Sequence, residues 1–297
     1  MSVTALKEPP REVRRSGTAE VVKMKPAAMR RPSRWPGYAK SVAATVIPPL
    51  VMVVLLGLLW EILCSGAGAT LPPPSRIWAD SKDLILDPFF VAGPQDIGLG
   101  WRVLVSLQRV AVGFGLAAVV GIALGAVVGQ SVWAMRGLDP IFQVLRTVPP
   151  LAWLPIALAA FRDSNPSAIF VIFITAIWPI IINTAVGIRN IPQDYRNVAL
   201  VLRLNPLEFF WKIMLPSAAP YIFTGLRIGI GLSWLAIVAA EMLTGGVGIG
   251  FFIWDAWNSS RLPDIIVALV YIGLVGFVLD RLVAGIGSFV TRGTQAS

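Results

Sequence analysis

The chain alternates between long apolar stretches and short polar segments. A helix needs about 20 mainly apolar residues to cross the hydrocarbon core of a bilayer. We predict membrane-spanning helices at about residues 41–63, 103–133, 141–161, 166–188, 217–242 and 265–290. The third span must be kinked, because it contains Pro149, Pro150 and Pro155. The pattern therefore predicts an all-α, polytopic membrane protein with six transmembrane helices.

Composition narrows the class of protein. Of 297 residues, 56% are hydrophobic and 14% are charged, whereas soluble domains average roughly 45–50% apolar and about 25% charged residues. An ordinary soluble protein is excluded. The chain has no histidine, and Cys64 is its only cysteine. These counts exclude a disulfide framework, histidine-based catalysis and a zinc site built from the usual ligands, so we expect neither a metal site nor enzymatic activity.

Positive charge is concentrated at the N-terminus. Residues 1–40 carry ten of the 25 Lys and Arg residues and only three acidic ones. Basic residues beside an apolar stretch favour the cytoplasmic side and anionic lipid headgroups, so we expect no nucleic-acid partner. We predict a mostly disordered cytoplasmic tail at 1–40, a transmembrane domain at 41–292 and a short tail at 293–297, with both termini in the cytoplasm. A solvated charge run without a partner also fits residues 1–40.

Small residues recur every four positions along the second span. In a bilayer, such a strip lets two helix backbones approach closely, either within one subunit or between subunits. A shorter strip occurs in the fifth span. The two strips are Gly113, Ala117, Gly121, Gly125 and Gly129 in the first case, and Gly225, Gly229 and Ser233 in the second.

The segment 189–216, between the fourth and fifth spans, is not a simple linker. We predict one short helix over residues 193–204 and a second over 206–214, ending at Leu215-Pro216. Asn205 is the expected N-cap of the second helix, with Pro206 in its first turn and Glu208 completing a capping box. Two short helices between two spans predict a docking platform on the cytoplasmic side.

The sequence of this platform, "NVALVLRLNPLEFFWKIMLP", resembles the EAA loop of bacterial ABC-importer permeases. The family pattern is E-A-A, three residues, G, nine residues and I-x-L-P. Ile213, Leu215 and Pro216 match its second half. The first half departs from it: Asn197, Val198 and Ala199 replace E-A-A, and Arg203 stands where glycine is usual.

Other segments resemble the nitrate/sulfonate/taurine/bicarbonate permeases, most of all the cyanobacterial-type nitrate/nitrite and bicarbonate permeases. They include "LDPIFQVLRTVPPLAWLPIAL" and "AIVAAEMLTGGVGIGFFIWDAWNSS". The resemblance implies a type I ABC-importer permease of the bacterial plasma (inner) membrane. It implies a homodimer with two cytoplasmic ATPases, which bind ATP and Mg, and an extracytoplasmic binding protein.

The expected cargo is a small inorganic anion, nitrate or nitrite first, with bicarbonate or sulfonate/taurine as alternatives. The chain itself has no G-x-x-x-x-G-K-[ST] motif and no Gly-Lys dipeptide, so ATP must be handled by a partner. An ATP-independent anion channel or secondary transporter is the alternative from another class. Such a transporter often carries internal repeats, and the two halves of this sequence show no convincing similarity.

Charged and polar residues within the spans are candidates for the translocation pathway. Arg227 lies near the middle of the fifth span, where a charge costs about 2.5–3.5 kcal/mol. It either assists an anion or pairs with an acid or with carbonyls freed at the kinked third span. Arg146 and Arg109 lie nearer span ends and are expected to snorkel. Asn183 and Thr184 offer neutral hydrogen-bond donors to an oxyanion, or serve interhelical packing.

An acidic residue, Glu241, precedes the glycine-rich segment "TGGVGIG" at the outer end of the fifth span. We interpret the following stretch as an outer gate or a docking surface for the binding protein. Trp254 and Trp257 are expected at the membrane interface, with Asp255 facing water or the partner. An interfacial loop anchored by tryptophans explains the same residues.

Overall fold

The computed structural model describes residues 34–66 and 68–292. Five of its helices are long and apolar enough to cross a membrane, and a sixth span is obtained if one bent pair of helices counts as one. Within the described residues, the only β-structure is an isolated bridge between Val91 and Ile97. The prediction of an all-α, multi-pass membrane protein is confirmed.

The chain divides into two units, Met1–Leu55 and Leu56–Ser297. The described part of the first unit is the beginning of helix α1 (Arg34–Cys64), which contains Pro48 and Pro49. Residues 34–40 are helical, whereas we had assigned them to the tail. The rest of the predicted tail, and residues 293–297, lie outside the described residues.

The second unit contains the end of α1 and all later helices. Their bounds are α2 (Pro74–Leu86), α3 (Leu99–Gln130), α4 (Val132–Leu145), a 3-10 turn (Pro150–Trp153), α5 (Leu154–Phe161), α6 (Ser164–Arg189), α7 (Gln193–Val201), α8 (Pro206–Phe209), a π-helical turn (Phe210–Met214), α9 (Leu215–Thr244), α10 (Ile249–Asn258) and α11 (Leu262–Thr291). Four of the predicted spans correspond to α3, α6, α9 and α11 within a few residues at each end.

Helix α6 forms the centre of the second unit, because it packs along both α3 and α9. The small-residue strip of α3 faces α6: a Cβ on Gly125 would lie 2.6 Å from Cβ of Thr184, and one on Gly129 would lie 2.9 Å from the Ala185 carbonyl oxygen. Gly225 of α9 approaches α6 in the same way, 2.8 Å from the carbonyl oxygen of Pro179. Both strips therefore pack helices within one subunit.

The third predicted span is a broken one. Helix α4 and the segment Pro150–Phe161 meet at an angle of 92°, so the kink predicted from the prolines is confirmed. Its beginning differs from the prediction: α3 ends at Gln130, and α4 starts at Val132 rather than near residue 141. Ser131 separates the two helices and caps α4, since its hydroxyl accepts a hydrogen bond from the Ala134 amide at 3.2 Å.

Two helices lie where we predicted none. Helix α2 begins with Pro74 in its first turn, a position that tolerates proline because the first amides of a helix have no internal partner. Helix α10 occupies the stretch that we interpreted as a gate or an interfacial loop. Both pack against α11.

The platform at residues 189–216 differs from the prediction where each of its two helices ends: α7 ends at Val201 rather than at residue 204. Asn205 and Glu208 form the expected capping box, with the Glu208 amide donating to Asn205 Oδ1 at 2.7 Å and the Asn205 amide donating to Glu208 Oε2 at 3.1 Å. The second helix does not end at Leu215-Pro216. It continues through the π-helical turn into α9, and Pro216, which lacks a backbone N–H, lies directly after that turn without ending the run.

Candidate translocation and coupling sites

Arg227 of α9 forms an ion pair with Asp280 of α11. The guanidinium donates from Nε to Oδ1 at 2.5 Å and from Nη2 to Oδ2 at 2.7 Å. This fork-like arrangement satisfies both carboxylate oxygens. Of the two roles predicted for Arg227, the structure supports pairing with an acid, and the acid lies on α11 rather than near the kinked span. The side chain remains 50% exposed, so the pair still lies on an accessible surface of the subunit.

Glu241 is completely buried at the end of α9. Its carboxylate accepts hydrogen bonds from Arg109 Nη1 at 2.7 Å, from Ser106 Oγ at 2.8 Å and from the Gly250 amide at 3.1 Å. Arg109 also donates to the Val247 carbonyl oxygen at 2.8 Å. The side chain of Arg109 is only 15% exposed, so the prediction that it snorkels is wrong: a buried carboxylate holds it inside.

Glycines allow the turn after α9 to close over this carboxylate. Gly245 and Gly246 have φ angles of 76° and 92°, a region that residues with a Cβ rarely adopt. A Cβ on Gly248 would overlap the Glu241 carboxylate, and one on Gly250 would overlap the Val238 carbonyl oxygen. In this structure Glu241 therefore fixes the turn and the start of α10 from inside, and it is not itself a docking surface.

The outward side of α10 is accessible. Trp254 and Trp257 are 42% and 61% exposed, as expected for interface anchors or a docking surface. Asp255 accepts from Arg261 Nη2 at 2.8 Å, and Arg261 Nη1 also donates to Asp264 at 2.9 Å. Ser81 of α2 donates to Asp264 at 2.6 Å, so Arg261 and Asp264 together link α2, α10 and α11. Arg261 and Ser81 were not among the predicted site residues.

The remaining pathway candidates lie in two places. Asn183 donates to the Pro179 carbonyl oxygen of its own helix at 2.8 Å. Thr184 is fully buried, and its hydroxyl has no hydrogen-bond partner within the described residues. Arg146 caps the end of α4 at the bend of the broken span. Because α4 starts at Val132, Arg146 lies in the middle of this bent pair, whereas we predicted it near a span end.

The platform presents an apolar surface. Of the EAA-like positions, Asn197 and Val198 are exposed and Ala199 is buried, while Ile213, Leu215 and Pro216 lie where the π-helical turn joins α9. Large apolar side chains of the two short helices and the turn between them, which we did not predict as site residues, are 60–81% exposed: Leu200, Val201, Leu202, Leu207 and Trp211. Such a patch outside a bilayer is typical of a protein–protein interface.

Arg203 occupies the turn between α7 and α8 with a φ angle of 50°. This left-handed conformation costs a residue with a Cβ roughly 1–2 kcal/mol. The positive φ angle therefore explains why glycine suits this position. In this chain the same turn forms with arginine.

Comparisons with known proteins agree with this geometry. The model of the family described as "Binding-protein-dependent transport system inner membrane component" matches residues 117–292. The nitrate import permease protein NrtB of Synechocystis sp. is 62% identical over 250 residues, 84% of this chain and 91% of that protein. The bicarbonate transport system permease protein CmpB of the same organism is 53% identical over 251 residues, 84% and 90% of the two chains.

A solved structure shows the same fold. A chain of the MetNI methionine ABC transporter, in an inward-facing conformation, superposes with a TM-score of 0.58 at 17% identity, covering 65% of this chain and 96% of that one. The expected fold of an ABC-importer permease is therefore confirmed. The chain belongs to the family of binding-protein-dependent transport system inner membrane components.

Proposed function

We propose that the chain is the transmembrane permease subunit of an ATP-driven importer for a small inorganic anion, nitrate or nitrite first. The choice of nitrate over bicarbonate rests on one observation. Two permeases of one organism each align with 84% of this chain, and the nitrate import permease is 62% identical whereas the bicarbonate permease is 53% identical. Bicarbonate is the second candidate, and sulfonates such as taurine come after it.

ATP is handled by partner subunits in this proposal. The exposed apolar side chains of the platform support docking to a cytoplasmic ATPase, because covering them with a partner removes apolar surface from water and stabilises the complex. Two permease subunits and two ATPases form the transporter. ATP and Mg bind to the ATPases, and this chain has no enzymatic role.

Continuity of the helix provides the mechanical connection. The run Pro206–Thr244 passes from the platform through the π-helical turn along α9 without an interruption. Movement of the platform by a nucleotide-driven partner therefore moves α9, which carries Arg227 and Glu241. Rigid-body displacement of packed helices between inward-open and outward-open states gives alternating access.

The opposite ends of the helices receive the anion. An extracytoplasmic binding protein delivers it to the side where Trp254 and Asp255 are exposed, and the complex lies in the bacterial plasma membrane. This arrangement is supported by the family to which the chain belongs and by the exposure of α10.

Uptake by a reconstituted complex tests the proposal. The chain is co-expressed with its ATPase partners, inserted into liposomes and supplied with the binding protein, and uptake of ¹⁵N-nitrate is followed. We expect uptake with ATP and none with an ATPase that cannot hydrolyse it. Nitrate flux through the chain alone, without ATP, would contradict the proposal and favour a channel.

Competition identifies the anion. We expect unlabelled nitrate or nitrite to suppress ¹⁵N-nitrate uptake at far lower concentrations than bicarbonate or taurine does. Because the binding protein contributes to selectivity, the comparison uses the binding protein encoded beside this chain. Suppression by bicarbonate at lower concentrations than nitrate would reassign the cargo.

A further inference from the structure

A cavity of about 340 Å³ lies beside the bend of the broken span. Arg146, Trp153 and Trp178 line it together with Thr175 and Leu232, and the rest of its lining is apolar. Among the described residues that line it, none is an aspartate or a glutamate. The volume is within the range of small-molecule sites, roughly 300–1,000 Å³.

The cavity lies near the middle of the helices that enclose it. Arg146 follows the 14 residues of α4, which at 1.5 Å per residue places it about 20 Å from the start of that helix. Trp178 lies near the centre of the 26-residue α6, and Leu232 lies in the central part of the 30-residue α9. Irregular backbone at this depth is typical of segments that line a cavity.

Arg146 differs from two other arginines of the long helices in having no ion-pair partner within the described residues. Arg227 is paired with the carboxylate of Asp280, and Arg109 is paired with that of Glu241. The guanidinium of Arg146 makes no ion pair and no hydrogen bond within the described part of the chain, and its side chain is exposed. A charge at membrane depth without a counter-charge is costly, so this position favours an anionic ligand.

The two tryptophans of the cavity also offer donors. The indole N–H groups of Trp153 and Trp178 donate to no acceptor within residues 34–66 and 68–292. Trp178 is held in place by Phe142, with ring centroids 5.7 Å apart. The hydroxyl of Thr175 already donates to the Val171 carbonyl oxygen at 2.6 Å. A guanidinium and two indoles offer only hydrogen-bond donors, which suits an anion and not a cation.

We propose that this cavity is the anion-binding site of the pathway, that Arg146 supplies its charge, and that its ligand is a monovalent planar oxyanion. The inference rests on the proposed function. The guanidinium fork matches two oxygens in one plane, and a single positive charge balances a single negative one. A divalent tetrahedral anion would leave one charge uncompensated in an apolar cavity. Nitrate and bicarbonate share the required chemistry.

The single cysteine of the chain makes the site directly testable. In a Cys64→Ser background, Arg146→Cys is introduced into the complete transporter with its ATPases and binding protein. We expect ATP-driven nitrate uptake to fall at least tenfold while the complex still assembles. Arg136→Cys is the matched control: it removes an exposed arginine from the same helix, outside the cavity, and we expect its uptake to stay within twofold of the parent.

Charged thiol reagents then distinguish charge from shape. Attachment of a cationic aminoethyl group to the thiol of the Arg146→Cys variant is expected to restore uptake, because it returns a positive charge, whereas an anionic sulfonatoethyl group is not. Nitrate is expected to slow the labelling of this variant and not that of Arg136→Cys. The Cys64→Ser parent, treated with both reagents, corrects for cysteines of the partner subunits.

Several outcomes would overturn the site. They are an unchanged KM and maximal rate in Arg146→Cys, equal recovery with both reagents, or no protection by nitrate. If Arg146→Cys fails to assemble, Arg146→Lys is tested in its place. This variant keeps the positive charge but loses the planar guanidinium, so we expect the KM for nitrate to rise severalfold. An unchanged KM would refute the site. A parent complex that moves no nitrate would refute the proposed function instead.

Discussion

The carboxylate of Glu241 stabilises three segments at once. It binds Arg109 and Ser106 of α3 and the first turn of α10, and it lies under the glycine-rich turn that follows α9. A buried charge of this kind is tolerated because an opposite charge and further hydrogen bonds satisfy both of its oxygens. The outer end of α9 is therefore held together by one polar cluster within an apolar core.

Glu241→Gln tests this cluster. The substitution keeps the shape of the side chain but removes the negative charge, so Arg109 is left without a counter-charge. We expect the assembled complex to lose about 3–5 kcal/mol of stability, measured as a lower Tm in detergent. Asp80→Asn is the control, because it alters only the exposed pair with Arg76, and such pairs contribute about 0–1 kcal/mol.

The double variant Arg109→Met/Glu241→Gln separates the charge from the packing. Removing both charges should recover much of the lost stability, since no unpaired ion remains. A double variant with a Tm no higher than that of Glu241→Gln would contradict the role we assign to the pair.

Arg203→Gly tests the strained turn of the platform. Because glycine adopts a positive φ without steric conflict, we expect the substitution to stabilise the complex by roughly 1 kcal/mol and to leave its ATP-driven uptake intact. Arg196→Gly is the matched control in the helix α7, where glycine should be destabilising by about 1 kcal/mol. The Tm of each variant checks both expectations, and a lower Tm for Arg203→Gly would count against strain at this position.

At the scale of single residues, the sequence identified the charges that are costly to place in a membrane span but not the residues that pair with them. Arg227 and Glu241 stood out because charges are rare in spans. Their partners are 53 and 132 residues away along the chain, and helical periodicity does not tell which faces of distant helices meet. We expected Arg109 to snorkel because the sequence shows that it lies near a span end but does not show that the buried Glu241 pairs with it.

At the scale of helices, close packing over small residues connects α3 to α6. The positions that approach α6 are those of the four-residue repeat, whereas Gly115 of the same helix faces open space. Since lipid gives little hydrophobic drive for helix association, this close contact is a main source of stability for the pair.

Gly125→Ala and Gly115→Ala test the strip with a single added methyl group in each case. At Gly125 the new Cβ would lie 2.6 Å from Thr184 and 2.8 Å from the Ile181 carbonyl oxygen, so we expect a loss of about 1–3 kcal/mol. At Gly115 we expect no loss, because alanine is the better helix former. Thermal unfolding of the two variants checks this, and equal Tm values would contradict the packing that we describe.

Long apolar helices were predictable, and short or broken ones were less so. The bounds of α6 follow from apolar length and from Asp163, whose carboxylate accepts from the Asn165 amide at 2.9 Å and caps the helix. Helix α2 has only 13 residues. It is therefore too short to be recognised as a membrane span, although Pro74 marks its start. Helix α10 was hidden because its tryptophans and the preceding glycines are equally typical of an interfacial loop.

At the scale of the whole molecule, one helical run joins the platform to the opposite side of the membrane domain. It begins at Pro206 with a capped first turn and ends at Thr244 beside the Glu241 cluster. The family match covers this run completely. The proposed transport mechanism therefore requires that an ATPase binds to the platform.

Leu200→Asp/Val201→Asp tests that claim most directly. Two charges in the exposed apolar patch should prevent docking of the ATPase while leaving the membrane helices unchanged. The control is Val91→Asp, an exposed apolar position remote from the platform. The measurement is the amount of ATPase that co-purifies with the chain from membranes, together with ATP-driven nitrate uptake by the product. We predict at least a tenfold loss of both for the double variant and wild-type values for the control. Unchanged co-purification and uptake in the double variant would contradict the account.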